Sequence, residues 1–189
     1  IKELNSSGTE DLKKKKKSEK ALREIEWMLN DRDEKEAEYV PEYGDLSSMN
    51  KEGMILNLLG KKQLNEIVAD YLNLLETSAA IYERNGDYAL GVFSSGWCRM
   101  MDAASRKLCN TSDNRKALNS GKWLCHESCW KDASLPSIKK GKAVDVKCNG
   151  GINLYALPIR INGEISGSIN FGYGTPPTDD QSLKDLSAK

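Results

Sequence analysis

Residues 152–173, INLYALPIRINGEISGSINFGY, hold two runs rich in apolar and β-branched residues joined by Asn162-Gly163. A two-residue type I′ turn needs positive φ at both central positions, and Asn-Gly supplies it. The stretch therefore predicts an antiparallel hairpin of strands 152–161 and 164–173. On the second strand Ile165, Gly167, Ile169, Phe171 and Tyr173 share one face, while Ser168 and Asn170 point the other way.

Upstream of the hairpin, residues 143–148 and 88–93 read as further strands. Ser95 is placed to cap a helix over 96–108, with Trp97, Met101, Ala104 and Leu108 along one side. Shorter helices follow over 114–120 and 122–133, separated by Gly121, and Pro136 argues against a continuous helix as far as Gly141. Before the first strand, Leu64, Ile67, Val68, Tyr71, Leu75, Ser78 and Tyr82 follow helical spacing, so residues 61–84 read as one amphipathic helix ended by Asn85-Gly86. Residues 39–60 open with Pro41, Gly44 and Gly53 amid polar residues and read as a connecting loop. Residues 1–38 read as a charged helical linker, and its helix, 12–36, carries a narrow seam of Leu22, Ile25 and Leu29. So short a seam wants a partner helix, and the same helix of a second copy would make a homodimer. At the other end Pro176-Pro177 stops the last strand, and Thr178 with Gln181 has the capping-box spacing. Residues 176–189 thus read as the start of an outgoing helix. Strands and helices that do not alternate regularly imply an α+β fold: an antiparallel sheet with helices on one face, preceded by a helical linker.

Composition narrows the function classes. Lysine plus arginine and aspartate plus glutamate both number 28, so no net charge draws the chain to nucleic acid or to an anionic membrane surface. No apolar run has the length of a membrane span. The chain starts at Ile1 without a signal-peptide pattern and is expected to be a piece of something longer. Five cysteines without a secretory signal suit reduced thiols in the cytoplasm.

The chemistry is concentrated in one stretch. All five cysteines, the single histidine and three of the four tryptophans lie between Trp97 and Cys148. The phrases LLETSAAIYERNGDYALGVFSSGWC, GKWLCHESCW and KCNGGINLYALPIRINGEISGSINFGYG resemble the PocR sensory domain over about residues 62–175. Cys98, Cys125 and Cys148, the Pro158-Ile159 pair and the ending Gly167 to Gly172 carry the likeness, and CHESCW is similar to the form seen in histidine kinases. The resemblance implies a PAS-like fold over 61–175 and a sensory role for small hydrocarbon derivatives such as short diols. It also implies a place in a two-component signalling protein, with any kinase core outside this stretch.

Helix geometry sorts the thiols. Cys98 and Cys109 are eleven residues apart, hence about 16 Å along a continuous helix, too far to share an ion. Cys125 and Cys129 are four apart and project from one side, and Cys148 precedes the flexible Asn149-Gly150-Gly151. Cys98, Cys125, Cys129 and Cys148 are the candidate metal ligands, suited to zinc or an iron–sulfur cluster. Reduced thiols lining a pocket and plain packing are the other readings. His126 points away from both neighbouring cysteines and makes a poor base for a thiol nucleophile, and no paired carboxylates or phosphate loop stand out, so no enzyme is expected here. The aromatic residues Phe93, Trp97, Trp123, Trp130 and Tyr155 are either core or the wall of the cavity that PAS-like domains leave between sheet and helices. Ser168 and Asn170 are candidates for its polar contacts. A structural dimerisation module is the third reading.

Overall fold

The computed structural model describes residues 39–75, 77–178 and 184. The helix expected over 12–36, its seam and the dimer built on it lie outside the described residues, as does the helix from Asp179 apart from helical Lys184. In chain order come a 3-10 turn (Leu46–Met49), helix α1 (Met54–Leu75) and strands β1 (Ser78–Glu83) and β2 (Tyr88–Phe93). Helices α2 (Gly96–Lys107), α3 (Asn114–Leu118) and α4 (Leu124–His126) follow. A π-helical segment (Glu127–Ser134) leads into α5 (Leu135–Lys140), and strands β3 (Val144–Lys147), β4 (Asn153–Ile161) and β5 (Glu164–Tyr173) follow. The strands form one sheet in the order β2-β1-β5-β4-β3, with every neighbouring pair antiparallel. This is an α+β fold of PAS-like arrangement.

The hairpin forms as the sequence predicts. Asn162 and Gly163 take φ of 52° and 86°, and Ile161 pairs with Glu164 across the turn. Ser95 caps α2, its hydroxyl accepting the Cys98 N–H at 3.1 Å.

The helix expected over 61–84 is corrected at both ends. It begins earlier, at Met54, inside the segment read as a connecting loop, and Gly60 (φ 71°) kinks it just where the expected helix began. It stops at Leu75, and residues 78–83 are instead β1, paired with β2 on one side and β5 on the other. The six residues of β1 are all buried, so they show no alternation of polar and apolar residues. A short run of that kind cannot be told from a buried helix by period alone. Asn85-Gly86 therefore lies in a hairpin turn, where Gly86 N–H donates to the Glu83 carbonyl at 3.0 Å.

Two further expectations are corrected. The chain stays helical through Pro136, which falls in the first turn of α5, where a missing N–H is tolerated. The inner side of α2 is not Ala104 and Leu108: Leu108 is exposed, and Asp102 and Ser105 are buried.

The sequence placed helices on one face of the sheet; they cover both, because α1 begins in the segment read as a loop and closes the second face. On one face Ile55, Leu64, Val68 and Leu72 of α1 pack on Ala79, Ile81, Ala89 and Leu90. The Glu83 carboxylate, at the end of β1, accepts the Ile55 and Leu56 N–H groups at 3.1 and 2.9 Å. A negative charge at a helix start is favourable, so β1 and α1 fix each other. The other face is covered by α2–α5 and the π segment, and its core mixes Tyr82, Tyr88, Trp123 and Leu154 with thiols.

Candidate ligand cavity

Between the sheet and α2, α4 and the π segment lies a cavity of about 30 Å³. A single water needs roughly 10–15 Å³, so the space suits a molecule of a few heavy atoms. Phe93 of β2, Trp97 and Met101 of α2, and Ile152 and Leu154 at β4 give it an apolar wall. Trp97 is held in place by its indole N–H, which donates to the Gly150 carbonyl at 2.9 Å. That bond ties α2 to the turn after β3, a turn closed by Gly151 N–H to the Cys148 carbonyl at 3.0 Å.

Cys98, Cys125, Cys129 and Cys148 all line this cavity. Burial pushes the thiols of Cys98, Cys125 and Cys148 above the usual range and that of Cys129 well above it. Protonated, they act as small apolar surface and weak nucleophiles. Among the described residues, no group of three or more His, Cys, Asp or Glu side chains is gathered to hold a metal ion. The four thiols share one wall of the cavity. Cys109 lies apart in the core, its Sγ 3.9 Å from the Ser105 and Ala117 carbonyls.

A second lobe, of about 10 Å³, shares Ser78, Phe93, Cys125 and Cys129 with the first. Tyr88, Asp102 and His126 give this second, polar lobe its polar side chains, beside Ala79, Ala80 and Gly91. Asp102 is 1% exposed; Oδ1 accepts the Trp123 indole N–H at 2.8 Å and Oδ2 the Tyr43 hydroxyl at 2.7 Å. Burial nonetheless raises its pKa to about 6. His126 is buried as well, with Nδ1 3.0 Å from the Tyr88 hydroxyl, and burial lowers its pKa to about 4, so the ring is neutral.

Of the residues proposed from sequence, the structure brings Phe93, Trp97 and the four cysteines to the larger lobe. The others lie elsewhere. Trp123 is buried behind the polar lobe, on Asp102, and Trp130 packs on Tyr82 with ring centroids 5.2 Å apart. Tyr155 follows Leu154 on β4, so strand alternation puts it on the far face of the sheet, 40% exposed. Ser168 donates to the Leu157 carbonyl at 2.9 Å. Asn170 donates to the Cys129 carbonyl and Ser134 hydroxyl at 3.1 and 2.9 Å, which pins the π segment to β5. The sequence reading missed Asp102, Tyr88 and the part played by His126. One signal was present: Asp102 follows Cys98 by four residues and so shares its helix side.

One antiparallel sheet, a helical cover and a cavity of small-molecule size between them define an α+β module of PAS-like arrangement. The family described as the sensory domain found in PocR matches residues 57–187, and the chain belongs to it. No curated protein matches the chain, and no solved structure does. No helix among the described residues is long and apolar enough to cross a membrane.

Proposed function

We propose that this domain senses a small hydrocarbon derivative bound in the cavity beside Trp97, as part of a cytoplasmic two-component signalling protein of the histidine-kinase kind. The single observation that carries the reading is the cavity itself: apolar, a few heavy atoms in size, and sharing four lining residues with the polar lobe. Apolar burial would supply the affinity and one or two hydrogen bonds the orientation. A ligand can shift a conformation only by its differential affinity for two states. The π segment is the natural element to differ between them, because it carries Cys129 on the cavity wall and is tied to β5 through Asn170. In this reading the module works as a homodimer through the seam of Leu22, Ile25 and Leu29.

Four thiols on one wall favour a second reading, in which the cysteines sense a soft metal or an oxidant. A metal would need the sulfurs gathered around one ion.

One set of measurements on the purified full chain separates the two. Short alcohols and diols should change tryptophan fluorescence and raise the melting temperature, with the fluorescence response weakened in Trp97→Ala. Protein prepared under reducing conditions should then carry no stoichiometric metal. A stoichiometric ion together with silence toward the compounds would replace the first reading with the second.

A further inference from the structure

Helix α2 has contacts on two sides. Trp97, Cys98 and Met101 line the larger lobe. Arg99 and Asp102, three residues apart and so on a common side, meet residues 39–50, the strap by which the chain enters the domain from residues 1–38. Asp102 Oδ2 accepts the Tyr43 hydroxyl at 2.7 Å. The Arg99 guanidinium lies over the Tyr39 ring, 4.8 Å from its centroid. Its Nε–H donates at 3.0 Å to the carbonyl of Phe93, a residue that lines both lobes. A third tie is indirect: Arg106 donates to Asn114 Oδ1 at 3.0 Å, and Asn114 Nδ2 donates to the Tyr43 carbonyl at 2.8 Å. Tyr43 is thus held to α2 at both its hydroxyl and its carbonyl, and its ring meets Trp123 edge-on, with centroids 4.7 Å apart.

The other end of the strap is fastened to the sheet. The Asn50 side chain donates to the Tyr88 carbonyl at 3.1 Å and to Glu83 at 3.2 Å, and Leu46 is buried in one cluster with Tyr82 and Tyr88. The short span from Tyr43 to Asn50 therefore bridges α2 and the sheet, and the cavity lies between those same two bodies. A close-packed interior passes on a displacement of its wall and does not absorb it. The fastenings on the sheet are buried, and those on α2 are partly exposed, so the α2 end gives first. We infer that residues 39–50 are a strap that reports cavity occupancy: a bound ligand moves α2 off the sheet, the Tyr43–Asp102 hydrogen bond opens, and the strap is released at the end where the chain arrives. Tyr43 is the latch. It lines neither lobe, so it acts on the strap and not on the ligand.

This inference rests on the cavity being the ligand site, and the test keeps the two apart. Propan-2-ol is titrated into the full chain and followed in two ways. Tryptophan fluorescence reports binding, and amide hydrogen exchange at Gly44, Ser47 and Ser48 reports the strap. Those N–H groups bond within the strap, to the Pro41 carbonyl, the Asp45 carboxylate and the Asp45 carbonyl. Saturation should speed their exchange about fivefold or more, the lower end of ordinary coupling between sites. Tyr43→Phe keeps the ring against Trp123 and removes the hydroxyl. It should keep the fluorescence response, exchange fast without the compound, and show no further acceleration with it. A merely structural tie would leave the acceleration factor unchanged, and that result overturns the inference. Strap exchange in the wild-type protein that is unchanged or slowed while the compound binds also overturns it, and leaves the cavity reading standing. No binding by propan-2-ol or the other short alcohols and diols overturns both. Should Tyr43→Phe fail to fold, Asn114→Ala unties the Tyr43 carbonyl and decides in the same way: a smaller acceleration upholds the latch, and an equal one overturns it.

Discussion

On one face of the sheet, four aliphatic side chains of α1 close over Ala79, Ile81, Ala89 and Leu90; on the other, Tyr82, Tyr88, Trp123 and His126 pack among thiols and buried serines. The buried cluster on the first face is wholly aliphatic and asks that volumes match, with Glu83 at the start of α1 and the Tyr71 hydroxyl on the Gly172 carbonyl as polar ties at its edges. The second has to satisfy polar groups one by one: Tyr82 to Tyr88, Tyr88 to His126, Trp123 and Tyr43 to Asp102, Asn170 to Ser134. It also leaves two cavities that an aliphatic core would have filled. The difference assigns separate tasks to the faces of one sheet. The α1 side holds the fold, and the side with the cavities gives up packing to keep a chamber.

The largest effect should therefore come from the aliphatic face. Leu64 is 1% exposed in the cluster under α1. Leu64→Ala is expected to cost about 2–5 kcal/mol in urea denaturation, the range for a buried leucine cut to alanine. Ligand response in the protein that remains folded should persist, because Leu64 does not line either cavity. A loss below about 1 kcal/mol would mean that the α1 side is not the structural half.

A second effect belongs to the polar lobe and depends on pH. Asp102 has its pKa raised from 3.8 to about 6, so it favours the fold below pH 3.8 and that contribution is lost as pH rises through 6. His126 has its pKa lowered from 6.5 to about 4, so it favours the fold above pH 6.5 and that contribution is lost as pH falls through 4. The shifts have opposite sense and similar size, roughly 3 kcal/mol each at ~1.4 kcal/mol per pKa unit. In the wild-type protein they nearly cancel between about pH 4 and 6. Asp102→Asn uncovers the histidine: relative to wild type, stability should fall by roughly 3 kcal/mol as pH goes from 6 to 4. His126→Gln should show the reverse slope. Denaturation at several pH values, taken as differences from wild type, cancels the ordinary carboxylates. Parallel curves for both variants would show that the polar lobe is not insulated from solvent.

The faces also differ in how much of them can be read from sequence. The hairpin was legible because Asn162-Gly163 forces a backbone geometry that few other pairs accept. Ser95 and α2 were legible for the same local reason. Strand β1 was not, because a strand buried on both faces has no polar alternation to betray it. At the candidate site, Phe93 at the end of β2 and Trp97 in the first turn of α2 were found at the cavity wall. Trp123, Trp130 and Tyr155 are large and aromatic, but their side of an element is set by neighbours distant in the chain. Asp102 was invisible for a similar reason. A carboxylate reads as surface until the Tyr43 hydroxyl, 59 residues earlier, and the Trp123 indole, 21 residues later, arrive to hold it.

The smallest expected change in stability gives the sharpest contrast. Gly150 is buried at the cavity wall, and a methyl group added there would sit 3.5 Å from Met101 Cγ and 3.6 Å from Cys148 Sγ, ordinary contact distances. Its backbone is outside the left-handed region, so alanine fits without strain. Restricting the unfolded chain by Gly→Ala at a compatible position stabilises by about 0.4–1 kcal/mol. Gly150→Ala should accordingly raise the melting temperature slightly. Yet the new methyl group lies between two residues that line the larger lobe, Met101 and Cys148, and takes space from any ligand there. The fluorescence response to propan-2-ol should weaken although the protein is no less stable. Leu64→Ala should do the opposite, losing stability while keeping the response. If Gly150→Ala leaves the response intact, the alcohol does not occupy the lobe beside Cys148. If it destabilises by more than about 1 kcal/mol, the cavity face is packed as tightly as the α1 face, and the division between them fails.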